Sequence, residues 1–401
     1  MKNIYVIVLI ISITLSGCIE KHSENPTNII SNKVIKEDLK ANQVTTTINS
    51  GIYVENTKFT TISIAKNSYY IFGNIGQSII VAKLSLDNKF IWMKKYSSLN
   101  KLEFLGITED EGFIIRGQEF VPSYKNNAFI MKIDYDGNVI WDKLFGTKST
   151  STGIIKIVNT DDGYVAFGRH NSNLLILKIH KDGAKLWEKE IKFSSNDIYY
   201  YNALKIQNEY IVYSVPFNPQ SKEDSVKVSI DAKGKFTVEE IAKVPIEIKR
   251  DSEVYSFDKK VINQKSYKFI KDKEYYIVQK SIDSKIDWEY KIKKEEVQST
   301  LSGIKILETK DLGCIVLHVF LEPPHKLATD IIKLNKQGNK VWEKHFKNSN
   351  ITNGKEIKEN QFVFIGNNYI VDTKVDIKNN SVKYYESDKK AMLIFLNQLN
   401  I

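Results

Sequence analysis

The chain has 401 residues, 42% hydrophobic and 26% charged, with a formal net charge of +10. A mean hydropathy of −0.31 excludes a polytopic membrane protein; 21 Tyr, 19 Phe and 5 Trp exclude a disordered chain, and 7 Pro and 19 Gly exclude collagen-like or Pro-rich architectures. Two cysteines exclude a disulfide scaffold and a thiolate zinc site, leaving a globular body able to bury one large core or two ordinary ones. Arginine stands only at 116, 169 and 250, so the guanidinium fork that reads phosphate and guanine is nearly missing and no nucleic-acid partner is expected. The lysines are dispersed among 48 acids and read as a solvated surface, with a weak attraction for anionic headgroups.

The first element is an apolar run, Ile4 to Leu15, after Lys2. At about 1.5 Å per residue it is too short for a hydrocarbon core of about 30 Å, and it fits the apolar region of a signal peptide. It ends in Leu15, Ser16, Gly17 and Cys18. These residues resemble the lipobox of secreted lipoproteins. The resemblance implies removal of residues 1–17, lipidation of Cys18 and a place at the extracytoplasmic face of a cell membrane. An ordinary secretory signal and an uncleaved anchor are the alternatives. With Cys18 acylated, Cys314 has no disulfide partner, and its apolar run Cys314 to Leu317 reads as a buried, inert thiol. Residues 18–43 read as the lipidated cysteine and a flexible polar tether, and residues 44–401 as the folded domain.

That domain is repetitive. Trp92, Trp141, Trp187, Trp288 and Trp342 recur about every 50 residues, once at double that spacing, a period of propellers and solenoids. Each follows the same pattern. Ala128 to Ile133, a turn at Asp134 to Gly137 and a strand carrying Trp141 match Asn173 to Ile179, a turn ending at Gly183 and a strand carrying Trp187; Asp330 to Leu334, Gly338 and Trp342 repeat it. Two apolar strands precede each hairpin, as in Gly153 to Val158 and Gly163 to Gly168. The unit is four antiparallel strands, a propeller blade. Third strands begin near Ile79, Ala128, Leu174, Ser225, Tyr275, Thr329 and Ala391, with Val238 replacing the missing tryptophan. This predicts an all-β, seven-bladed propeller, with six or eight blades as alternatives because residues 246–292 are degenerate. The chain stops after the last third strand, and Gly51 to Glu55 looks like a spare outer strand. It is predicted to pair with the 391–399 region, complete the last blade and close the ring.

The strand, Gly turn and tryptophan resemble the tryptophan-docking repeats of PQQ-like propellers, and more closely secreted propellers with an Asp-Gly-Asn-x-x-Trp repeat, here Asp136, Gly137, Asn138 and Trp141. The chain has no vicinal cysteine pair and only three arginines, so no PQQ site carries over and no cofactor is expected. The turn also looks like the sialidase Asp-box, but its Gly-to-Trp spacing is one residue longer. Because they recur, the five tryptophans read as structural anchors between adjacent blades.

Single-copy candidates are few. Asp134, Asp136 and Asn138 suggest an oxygen-ligand loop, but the equivalent positions keep turn-formers and not carboxylates, so a hairpin turn is preferred. The six histidines, at 22, 170, 180, 318, 325 and 345, include no zincin pair; His180 reads as a turn residue, His318 as a strand end, His325 as a loop residue, His345 as following the Trp342 strand, and no metal site is expected. Tyr199 to Tyr201 read as packing, and the loops near 118–127, 216–224 and 321–328 are the longest inside blades. No catalytic residue is identified. The reading is a lipid-anchored module that binds or scaffolds protein or peptide partners. The alternatives are a glycan-acting hydrolase or lyase with its site at the central channel, and a surface-layer or adhesion component with sequons at Asn350 and Asn379.

Overall fold

The computed structural model describes residues 35–38, 44–48, 51–55 and 57–397, with breaks at 122–125, 147–149, 172, 193–197, 207–208, 217–224, 232, 242–264, 273, 283–284, 294–302, 323–325, 360 and 377–380. The expected signal peptide, Cys18, His22 and His325 lie outside the described residues. Among those described, every regular element is a β-strand, and the strands form seven antiparallel sheets.

The sheets follow the chain. The first contains Thr57–Ala65, Ser68–Ile75, Ser78–Ser85 and Phe90–Ser97. The second contains Lys101–Glu109, Phe113–Phe120, Asn126–Ile133 and Val139–Phe145. The third contains Thr152–Thr160, Gly163–His170, Asn173–His180 and Lys185–Ile191. The fourth contains Ile198–Ile206, Glu209–Pro216, Ser225–Ile230 and Phe236–Ile241. The fifth shows three strands, Lys265–Lys271, Tyr275–Ile282 and Lys285–Lys293, and the position for a preceding first strand falls in 242–264, outside the described residues. The sixth contains Gly303–Glu308, Cys314–Glu322, Lys326–Leu334 and Lys340–Phe346. The seventh contains Ser349–Lys358, Gln361–Asp376 and Ser381–Asn397.

Second and third strands are buried on both faces, as in Asn173–His180, because a neighbouring sheet covers each side. Apolar clusters join first to second sheet through Phe72, Phe104 and Phe113, second to third through Trp141, Ile154 and Tyr164, and third to fourth through Phe167, Leu174 and Val228. Others join fifth to sixth through Tyr276, Trp288 and Cys314, sixth to seventh through Leu317, Trp342 and Phe364, and seventh back to first through Ile357, Ile365, Phe59 and Ile71. Asn353 Nδ2 also donates to the Thr60 carbonyl at 3.1 Å across that last junction.

Two features set the strand edges. Gly73, Gly117 and Gly168 sit where a Cβ would lie 1.9, 2.4 and 2.0 Å from a first-strand carbonyl oxygen, so the first strand bulges against a residue without a side chain. Gly137, Gly183, Gly234 and Gly338 take left-handed φ values of 72°, 87°, 80° and 81° in the hairpin turns. In those turns Asp134, Asp231 and Asn335 accept backbone N–H groups two and four residues on, at 2.8–3.0 Å. Asp134 therefore serves the turn itself.

The chain ends differ from the expected pattern in detail. Gly51–Glu55 pairs antiparallel with Lys390 to Ile394 in the seventh sheet, with Ala391 opposite Val54. Val44–Ile48 then adds outside it, giving five strands. Ile35–Asp38, inside the stretch read from sequence as a tether, adds as a fifth strand to the outer edge of the first sheet, Ile35 opposite Ser97 and Asp38 opposite Lys94. The last two long strands run on together beyond the sheet, pairing as far as Asp376 opposite Ser381. The reading of uniform four-stranded units is corrected at the first and seventh sheets, where segments from the start of the chain add a fifth strand.

Candidate functional site

The recurrent tryptophans lie across the turn of the following sheet. The Trp141 ring lies against Gly183, where an added Cβ would come within 2.7 Å, and its Nε1 donates to the Lys181 carbonyl at 2.8 Å. Trp288 repeats this on Gly338 and the Lys336 carbonyl at 3.0 Å. Trp187 faces Gly234 and Trp92 faces Gly137. Trp342 meets Phe362 of the seventh sheet, ring centroids 6.0 Å apart. Trp92 differs in one respect: its buried Nε1 has no partner, because the matching Tyr135 carbonyl accepts from Tyr70 Oη and Lys83 Nζ, each at 3.1 Å.

Opposite each tryptophan stands a lysine: Lys83, Lys132, Lys178, Lys280 and Lys333. All five side chains are buried or nearly so, and each meets an aspartate. Lys132 reaches Asp110 at 3.1 Å and Lys333 reaches both Asp311 oxygens at 2.8 Å. Burial alone would raise the Asp311 carboxyl, but hydrogen bonds from Lys333, Thr309 and Gly313 outweigh it and hold it below the usual carboxylate range. This corrects the reading of lysine as a solvated surface. The signal was in the sequence, as a lysine at one fixed place before each turn. Lys305 is a further buried amine, lowered by burial to about 8. Burial pushes the Cys314 thiol up to about 12, so it is no nucleophile at neutral pH.

The sixth sheet breaks the repeat. At the bulge position, where sheets one, two, three and seven have Gly73, Gly117, Gly168 and Gly366, it has His318. The third-strand residue opposite is Ile80, Phe129, Leu175 or Met392 in those sheets, and Asp330 here. His345 stands opposite Asp330 on the next strand, so a His–Asp–His row crosses three strands on one face. His318 was expected at a strand end and His345 after a strand; they lie inside Cys314–Glu322 and Lys340–Phe346.

His345 Nδ1 is 2.7 Å from Asp330 Oδ1 and its Nε2 is 3.2 Å from Glu322 Oε1. Burial would raise Asp330, but the two histidines outweigh it and hold its carboxyl low. His318 is 0% exposed, packs on the rings of Tyr276 and Phe320 with centroids 5.2 and 4.9 Å away, and has no hydrogen-bond partner at either nitrogen. Its Nδ1 is 3.8 Å from Asp330 Oδ2, beyond hydrogen-bond reach. His345 and Glu322 are half-exposed and open the cluster to solvent. An open cleft of about 410 Å³ lies between the fifth and sixth sheets, lined by Trp288, Lys336 and Gln337 among others. His170 is buried elsewhere, its Nδ1 2.9 Å from Thr152 Oγ1.

A second surface is the outer rim. Among the described residues, the outer strands of the second to sixth sheets have no strand beyond them. Each carries exposed apolar residues: Ile140, Leu186, Phe236 and Val238, Ile286, and Val341. On the first sheet, where Ile91 is the equivalent, the chain's own Ile35–Asp38 occupies that edge, placing Glu37 and Asp38 opposite Lys95 and Lys94.

A scan against protein-family models gives no match, and a search of curated proteins gives none. Among solved structures, the WD40 domain of SCAP from fission yeast aligns at 8% identity over 85% of this chain and 95% of its own, with a TM-score of 0.33. A GH43 β-1,3-galactosidase aligns at 9% identity over 86% and 92%, with a TM-score of 0.31. A variant of the Synechocystis apocarotenoid oxygenase aligns at 9% identity over 72% and 71%, with a TM-score of 0.36.

Proposed function

We propose that this protein is an exported, lipid-anchored β-propeller of seven blades that binds extended segments of partner proteins along its rim. The ring closes where Gly51–Glu55 completes the seventh sheet, and the first strands line its central channel. Residues 1–17 are the signal, and lipid on Cys18 holds the body at the extracytoplasmic side of a membrane. The lipobox supports the anchor. One observation carries the binding reading: the chain lays its own Ile35–Asp38 antiparallel on the outer edge of the first sheet. The same edge, with its exposed apolar residue and a lysine two places after the tryptophan, recurs at Ile140 and Lys143, Leu186 and Lys189, and Val341 and Lys344. Edge strands of this kind are templates for an added strand unless something covers them. The partner chemistry is an extended, apolar and acidic peptide.

The probe is a fluorescent peptide of residues 34–39, which carry Glu37 and Asp38 against one lysine, added to the purified full chain. Saturable binding, weakened at least fivefold by K189E together with K344E, is expected. Intact mass of the protein from membranes should show cleavage before Cys18 and added acyl chains. No peptide binding at about 1 mM, or binding indifferent to the charge reversals, would overturn the rim reading; an unmodified Cys18 would overturn the anchor.

A further inference from the structure

The unpartnered imidazole of His318 and the aspartate beside it call for a ligand. Buried polar groups are hydrogen-bonded in folded proteins, and an orphaned one is costly. The repeat removes the simplest explanation, since glycine fills this position in four sheets and an apolar residue stands opposite it there. His318 and Asp330 are thus an insertion of chemistry into a framework that folds without it. Asp330 and Glu322 bring two carboxylate groups to the cluster beside the imidazoles, a mixed nitrogen and oxygen donor set that suits a cation.

We infer that His318 and Asp330 form a binding site for a divalent transition-metal ion, with His345 and Glu322 behind them. Imidazole nitrogen with carboxylate oxygen is a donor set suited to zinc, manganese, cobalt or nickel. The Nδ1 to Oδ2 separation of 3.8 Å is within about half an ångström of the span of two ligands on one tetrahedral ion with bonds of about 2.0–2.2 Å. His345 holds the other Asp330 oxygen, as outer partners hold ligating carboxylates. Among the described residues no three donors yet converge on one point. The half-exposed His345 and Glu322 mark the way in.

The test is a titration of the purified full chain with Co²⁺ and Zn²⁺, followed by cobalt absorption and calorimetry at pH 8. One equivalent should bind, and H318G should weaken binding at least tenfold while the melting midpoint of the metal-free protein is unchanged or higher. D330N is the second variant, isosteric with the native side chain, and the same loss is expected. No binding of either ion at about 1 mM, or a site retained in both H318G and D330N, would overturn the inference. Neither outcome bears on the rim, whose lysines and apolar residues lie outside this cluster.

Discussion

Trp141→Ala is expected to destabilise the protein by about 3–5 kcal/mol, the usual cost of deleting a buried aromatic side chain. The side chain is 7% exposed, packs on Tyr164 and on the Gly183 turn of the next sheet, and donates to the Lys181 carbonyl. Alanine removes the hydrogen bond and leaves a cavity at a junction where, among the described residues, no backbone ladder joins the second and third sheets. The comparison with Trp187→Ala sharpens the prediction. Trp187 is half-buried, so its replacement is expected to cost less. Urea denaturation of both variants measures this. A Trp141 effect within about 0.5 kcal/mol, the range of ordinary surface changes, would show that the rings do not hold the sheets together.

Asp311→Ala is expected to be nearly as costly. It leaves the Lys333 ammonium, whose side chain is 2% exposed, without its counter-charge. Removing one partner of a buried pair typically costs about 3–5 kcal/mol. The lower end applies here, because Thr309 Oγ1 and the Leu334 carbonyl still accept from Lys333. Lys333→Met should cost less, since Asp311 is 42% exposed and water can take over its charge. The pair also sets an acid dependence. The folded carboxyl lies below its unfolded range, so its contribution is fully present above the unfolded pKa and is lost as pH falls through the folded one. Asp110 and Asp162 are lowered by the same kind of partner and add to the loss. Asp311→Ala should therefore show a shallower fall in stability between about pH 5 and pH 2.

The repeat was legible because packing residues recur with every unit. Trp141 and Gly137 mark hairpin, bulge and junction together, and the spare strand Gly51–Glu55 could be paired with residues near 391 from the count of third strands alone. What escaped was of two kinds. The buried lysines were written at a fixed place in the repeat, but charge read as exposure hid them; for Lys132, Lys178 and Lys333 the aspartate at the preceding turn, Asp110, Asp162 or Asp311, reveals the pairing. The His318 cluster was hidden for the opposite reason. Asp330 and His345 are far from His318 in sequence and come together only through register. A substitution of Gly by His at one repeat position was the available signal, and aligning the second strands would have found it. The Ile35–Asp38 strand had no signal, since four residues joining an edge carry no periodicity of their own.

The account rests on one closed circle of sheets, and the junction of the fourth and fifth sheets is the most direct place to test it. Lysine cross-linking of the monomeric protein, read by mass spectrometry, should link Lys227, Lys233 or Lys235 to Lys285 or Lys291 as often as it links the third sheet to the fourth. Abundant links at the other neighbouring sheets with none across this pair would mean an open arc, and would contradict the ring.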